Sequence, residues 1–336
     1  MPGRSARELR VVAIGGGTGL STLLKGLKKY TAASPGAAAP RICELSAVVT
    51  VSDDGGSSGR LRKEFNMLPP GDVRNCIVAL SEDEALLARL FQHRFSKGQT
   101  LEGHSFGNLF LAALTSLTGD FSEAVRLSSE ILATRGRIFP ATAANIELEA
   151  LMHDGTRVRG ETKITASKGR IQELFLLPAN PDPLPQTLEA IARADLITIG
   201  PGSLFTSLIP NLLVRGIAQA IRSSSATKVF ICNLMTQANE SLNRTAADHI
   251  RALDEHAGGR IFDYALLNRV PASAELKAKY ALEGASQIEV DLDAIEAIGV
   301  CPVQGDYLRE DGTARHATDR VAEDLLQLCA PRETRV

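Results

Sequence analysis

The sequence predicts an α/β fold: a mostly parallel sheet with helices on both faces and a small antiparallel β insert. Three observations carry this expectation. Apolar runs without alternation recur at Leu9–Ile14, Ile42–Val51, Leu196–Ile199, Lys228–Ile231 and Tyr264–Leu267, the pattern of strands buried on both faces. These runs end in glycine, small or polar residues with helical stretches between them, which is the rhythm of α/β units. From Asn145 to Leu177 the period switches to alternation, with Ile146, Leu148 and Ala150 between acids and a hairpin signal at Asp154-Gly155.

The first run leads into Gly15-Gly16-Gly17-Thr18-Gly19-Leu20, and a helix with Ser21, Thr22, Leu23, Leu24 and Leu27 begins at once. Glycine lets the backbone turn tightly and approach a ligand with no Cβ in the way. The helix N-terminus offers unpaired N–H groups and a partial positive charge, so the loop reads as a phosphate or nucleotide site. It fits neither common fingerprint. Laid on Gly15-x-Gly17, the dinucleotide pattern puts Leu20 in its third glycine position, and no Gly-Lys-Ser/Thr of a Walker loop follows.

Further along, Thr31–Pro40 is an Ala-, Pro- and Gly-rich connector. The second apolar run ends in Ser52-Asp53-Asp54-Gly55-Gly56-Ser57-Ser58-Gly59-Arg60-Leu61-Arg62, read as a ligand loop at the carboxyl edge of the sheet. There Asp53 or Asp54 is expected to hold a ribose hydroxyl or a divalent cation, and the Gly/Ser run to wrap a phosphate. In Gly71-Asp72-Val73-Arg74-Asn75, Asp72 is the expected helix N-cap, with Arg74 and Asn75 pointing from the first turn. Helices are expected over Glu84–Phe95, Ser105–Leu117 and Ser122–Thr134. His104 has no nearby Cys or His partner and reads as a capping histidine rather than a metal ligand.

The later half repeats the α/β rhythm. Pro178–Pro185 is a stiff connector, and Leu196–Ile199 runs into a second glycine loop, Gly200-Pro201-Gly202-Ser203. Later strands end in Cys232-Asn233-Leu234-Met235-Thr236-Gln237 and in Asn268-Arg269. A strand over Gly299–Tyr307, the Arg309–Arg315 stretch and a helix over Thr318–Cys329 close the chain, with a loose tail after Ala330. Parallel geometry places strand ends along one edge, so their repeated polar character points to a ligand crevice.

Composition narrows the classes. The 336 residues are 44% apolar and 23% charged with a formal net charge of −2, ordinary for a soluble globular chain and without the basic surplus of a nucleic-acid binder. Cys43, Cys76, Cys232, Cys301 and Cys329 lie far apart with no C-x-x-C, so neither a zinc cage nor a disulfide frame is expected and a reducing compartment is. Met1–Arg10 is polar rather than a signal peptide. The longest apolar candidate for a membrane span, 204–217, is broken by Pro210, Asn211 and Arg215. A cytoplasmic protein is expected.

With these stretches assembled, the sequence resembles the gluconeogenesis-factor (YvcK-like) family, within the wider superfamily of CofD-like (2-phospho-L-lactate transferase) proteins. The resemblance rests on Gly15-Gly16-Gly17-Thr18-Gly19, the Ser52–Arg62 stretch, Gly71-Asp72-Val73-Arg74-Asn75, Gly107-Asn108-Leu109, Ile199-Gly200-Pro201-Gly202-Ser203-Leu204, Cys232-Asn233-Leu234-Met235-Thr236-Gln237 and Arg315-His316. These follow one another over nearly the whole chain. One departure stands out: Ala238-Asn239 replaces the family's usual Pro-Gly and changes a turn in one wall of the pocket.

The resemblance implies a Rossmann-like fold, binding of UDP-sugars (UDP-N-acetylglucosamine in particular) and a cytoplasmic role in cell shape and envelope growth on gluconeogenic carbon sources. Carried onto this chain, the expected ligand-binding set is Gly16, Gly17, Thr18, Gly19, Leu20, Asp53, Asp54, Ser57, Ser58, Arg62, Arg74, Asn75, Asn108, Gly200, Gly202, Ser203, Asn233, Thr236 and Arg315. One CofD-like domain over 1–330, with the β insert at 145–177 and a tail at 331–336, is the expected organisation. The expected partners are a UDP-sugar or related nucleotide and further copies of the chain, with no nucleic acid and no integral membrane contact. No Ser-His-Asp or Cys-His arrangement is recognisable from spacing, so binding without turnover is expected. The alternative is a phosphoryl-group transferase using a nucleotide-activated donor, with a divalent cation on Asp53 or Asp54. A dehydrogenase ranks last for want of the third fingerprint glycine.

Overall fold

The computed structural model describes residues 8–31, 41–82, 84–167, 169–238 and 240–329. The polar opening before Glu8, the connector beyond Thr31, Asn239 and the tail from Ala330 lie outside the described residues. The described residues form twelve strands: β1 (Glu8–Gly15), β2 (Arg41–Val49), β3 (Arg137–Pro140), β4 (Glu147–Met152), β5 (Arg157–Arg159), β6 (Ile171–Leu177), β7 (Leu196–Ile199), β8 (Thr227–Ile231), β9 (Tyr264–Asn268), β10 (Cys301–Gly305), β11 (Leu308–Glu310) and β12 (Ala314–His316).

Seven of them make one parallel sheet in the order β10-β9-β8-β7-β1-β2-β3. The chain builds outward from β1 through β2 to β3, then returns beside β1 with β7 and builds the other way. The strand order therefore reverses between β1 and β7. Helices surround the sheet, and Val11, Val12, Ala13 and Ile14 of β1 are almost wholly buried, as apolar residues on both faces of an inner strand must be. At the opposite end Asp195 pins the register, accepting from the Arg10 backbone N–H at 2.9 Å and from Arg10 Nε at 3.0 Å. Among the described residues no single helix is long and apolar enough to cross a membrane.

The insert is a three-stranded antiparallel sheet, β5-β4-β6, with a short helix at Glu161–Ala166. A two-stranded hairpin, β11-β12, precedes the closing helix Thr318–Leu328.

Several local expectations are corrected. The Gly/Ser run is no loop: Gly56–Phe65 is a helix that ends on Asn66 in the left-handed region. Glycine and serine are poor helix formers, and packing overrides them, with Ser57, Ser58, Gly59 and Leu61 all buried. The first helix begins at Gly17, so the glycine loop is itself its first turn. Pro70, not Asp72, is the N-cap of helix Gly71–Leu80. Ser105 caps helix Phe106–Thr118, accepting from the Asn108 N–H at 3.3 Å, so His104 is not its cap. β3, only four residues long, has no run of its own to announce it.

Candidate functional site

The crevice opens at the carboxyl ends of β1 and β7, where reversal of strand order leaves room above the sheet. Gly16 is the N-cap of helix Gly17–Lys28 and carries no side chain to satisfy its first-turn amides, which are the donors a phosphate takes. Gly17 has φ +62°, the left-handed region that favours glycine. A Cβ on Gly16 would stand 2.6 Å from Thr50 Cγ2 and 2.8 Å from Asp72 Oδ2, and one on Gly19 would overlap the Pro201 carbonyl. The two glycine loops thus meet backbone to backbone.

Side chains from the next loop lock that meeting. Asn233 Oδ1 accepts from the Gly202 N–H at 2.9 Å while its Nδ2 donates to the Gly202 carbonyl at 2.7 Å. Gln237 Nε2 donates to Ser203 Oγ at 2.8 Å. A π-helical turn, Leu204–Leu208, follows the second loop, a feature often found at functional sites. The buried Glu240 carboxyl accepts from Thr206 Oγ1 at 2.9 Å and the Phe205 N–H at 3.3 Å, and burial raises its pKa. Asn211 Nδ2 reaches back to the Gly15 carbonyl at 3.2 Å.

The two glycine loops and the Asn233–Gln237 stretch border a cavity of about 510 Å³. Of the expected residues, Gly16, Gly17, Thr18, Gly19, Gly202, Ser203, Asn233, Thr236 and Arg315 line it. Ala238 of the altered turn is also in its wall. Arg315 is half exposed, its nearest carboxylate, Asp311, at 3.8 Å. His316 Nε2 donates to the Cys232 carbonyl at 3.0 Å, and desolvation pushes its pKa down to about 4. The ring is neutral at physiological pH, with Nδ1 as an acceptor.

The remaining expected residues are gathered beside the cavity, not in its wall. Asp54 Oδ1 accepts from the Thr162 N–H at 2.8 Å and Thr162 Oγ1 at 2.6 Å, so it caps the insert's helix. Asp53 Oδ1 accepts from the Gly55 N–H at 2.9 Å. Arg62 donates to the Ile146 carbonyl. Ser57 Oγ lies 3.0 Å from His104 Nδ1, and Asn108 Nδ2 donates to Ser57 Oγ at 3.1 Å and Ser58 Oγ at 3.4 Å. Arg74 bonds Ser105, Asn108 and Asn75 at 2.6, 3.0 and 2.8 Å. Leu20 is wholly buried, and Gly200 packs on the Ile231 carbonyl, 2.6 Å from where its Cβ would be; both belong to the core.

At the edge of the cradle the charge of Asp53 bears on Asp72 and Glu161, and that of Asp72 on Glu161. Burial foremost, then Asp53 and Asp72, push Glu161 up to about 9. Among the described residues no three His, Cys, Asp or Glu side chains are grouped to hold a metal ion. With Asp54 engaged on Thr162, the residues present do not make the cation site expected on Asp53 or Asp54.

Sequence reasoning missed Thr22, Thr165, Ser207 and Tyr280, which also line the cavity. Thr22 had a signal, standing one helical turn beyond Thr18. Thr165 and Tyr280 come from the insert and from helix Ala274–Ala281, and only the fold brings them here.

Two predictions follow from the insert's attachment. Asp54→Ala removes the cap on Thr162, so amide exchange in 160–166 is expected to accelerate while the β1–β7 core keeps its protection; unchanged exchange there would refute the tie. Glu161 is raised in the fold above its unfolded value, so its contribution is full below about pH 4.5 and lost as pH rises through about 9. Glu161→Gln should therefore gain thermal stability over the parent at about pH 8 relative to about pH 5. Melting curves that stay parallel across that range would contradict this.

The comparisons with known proteins bear on the family and the fold. The CofD family pattern, described as 2-phospho-L-lactate transferase CofD, matches residues 11–308. A gluconeogenesis factor of Halalkalibacterium halodurans is 49% identical over 323 residues, covering 96% of this chain and 97% of that protein. The gluconeogenesis factor of Bacillus subtilis is 46% identical over 320 residues, covering 95% and 98%. A solved structure, a member of the UPF0052 family from Bacillus halodurans, superposes with TM-score 0.90 at 48% identity over 95% of this chain and 99% of that one. The glycine loops, the parallel sheet and these likenesses over almost the full length place the chain in the CofD family, beside its gluconeogenesis factors.

Proposed function

We propose that this chain binds a nucleotide sugar of the UDP-N-acetylglucosamine type in the crevice without transforming it. It then serves as a cytoplasmic regulatory protein, a gluconeogenesis factor needed for cell shape and envelope growth on gluconeogenic carbon sources. The observation that carries the reading is the pair of glycine loops meeting over one cavity, with Arg315 in its wall. The first-turn amides of helix Gly17–Lys28 suit a diphosphate, and the guanidinium adds a charged donor. The cavity is of the size that small-molecule sites have. Names of the relatives support the wider role.

The second reading is a phosphoryl-group transferase using a nucleotide-activated donor. It is favoured by the family's description.

Arg315→Ala tests the first reading. The loose contact with Asp311 leaves the guanidinium free for an anion, and a charged hydrogen bond contributes about 1.5–3 kcal/mol. Affinity for UDP-N-acetylglucosamine should fall by roughly one to two decades in calorimetry; equal affinity would remove Arg315 from the site. Prolonged incubation followed by phosphorus NMR is expected to return the nucleotide sugar intact. Catalytic release of UDP, UMP or a new phosphodiester would make the transferase reading the right one.

A further inference from the structure

Asp72 is a carboxylate placed where an anion-binding site should have none. A Cβ on Gly16 would lie 2.8 Å from Asp72 Oδ2, and the nearby Gly17 N–H favours the ionised form of the same carboxyl. That N–H belongs to the first residue of helix Gly17–Lys28, the kind of amide a phosphate oxygen accepts from. An acid of the chain itself thus lies against a donor that the ligand needs.

We propose that Asp72 is a built-in stand-in for the ligand's phosphate, holding the Gly17 amide in the empty crevice and yielding it when a diphosphate enters. The inference rests on the reading of the crevice as a diphosphate site. Its chemistry is a competition between two anions for one amide. A dianionic phosphate arriving beside an ionised carboxylate is repelled, so the carboxylate must withdraw or take up a proton. Withdrawal from water already pushes the Asp72 carboxyl up to about 6.

The surroundings do not supply a cation to relieve the clash. Asp53, in the loop after β2, faces Asp72 with the same sign, while Glu161, on the insert's helix, is pushed up to about 9 and adds neither a cation nor a charge at neutral pH. Cys76, one turn further on the same helix, is a buried thiol whose pKa lies well above its usual value. Arg74 is the neighbouring cation, and its hydrogen bonds go to Ser105, Asn108 and Asn75. Asp72 therefore sets how strongly the cradle attracts an anion and makes that attraction dependent on pH.

Calorimetric titration of the full chain with inorganic pyrophosphate and with UDP, in EDTA at about pH 6 and about pH 8, tests this. Asp72→Asn is close to isosteric, keeps an acceptor for the Gly17 N–H and cannot ionise. It should bind both anions roughly tenfold more tightly than the parent at about pH 8, with little difference at about pH 6. The anions' own ionisation is common to both proteins, so it cancels in that comparison. A residue with a merely structural role would weaken binding at both pH values. Equal or weaker binding by Asp72→Asn, with the same pH profile as the parent, would overturn the inference and leave the crevice reading standing. If neither anion binds the parent, the crevice reading falls and this inference with it. Circular dichroism checks the fold of the variant, and Asp72→Ser, with the same expected direction, serves if Asp72→Asn does not fold.

Discussion

The architecture of the site depends on one steric constraint: two glycine loops must touch where the strand order of the sheet reverses. With a side chain on Gly19 the Pro201 carbonyl would have to move, and with one on Gly16 Thr50 and Asp72 would. Everything around that contact holds it in place. Asn233 pairs with both polar groups of the Gly202 peptide, Glu240 caps the π-helical turn, and Asn211 ties that turn to the Gly15 carbonyl. These partners follow β7 and β8, while the cradle follows β1. Neither half of the chain makes the crevice alone.

Electrostatics at the site follow the same economy of space. The cradle presents backbone amides, which are donors without the bulk of lysine or arginine. The half-buried Arg74 and Arg62 bond neutral hydroxyls, amides and a carbonyl instead, and burial lowers their pKa values. Burial first, and then the charge of Asp53 on Asp72 and those of Asp53 and Asp72 on Glu161, disfavour the ionised forms and raise both. The insert brings Glu161 into this cluster and Thr165 into the cavity wall, so it is part of the site rather than an appendage.

Much of the frame was legible in the sequence. β7 falls on Leu196–Ile199 as read, because an apolar run bounded by Asp195 and Gly200 leaves no choice of ends. The insert was legible because alternation and Asp154-Gly155 differ in period from the helices before it. Helix Gly56–Phe65 was not, since its glycines and serines speak for a loop until burial in the fold decides otherwise. Site residues divided in the same way. Polar groups at strand ends could be placed on the crevice edge by topology alone. Whether a side chain faces the cavity, as Asn233 does beside Gly202, or caps a neighbouring element, as Asp54 does on Thr162, depends on contacts between segments distant in sequence.

The central claim is that a nucleotide diphosphate lies between the two glycine loops. A crystal structure of the chain with UDP-N-acetylglucosamine tests it most directly. The account predicts the diphosphate oxygens within hydrogen-bonding distance of first-turn amides of helix Gly17–Lys28, with Gly202 and Arg315 beside them. A diphosphate seated away from these loops, among Arg74, Asn75 and Asn108, would contradict it.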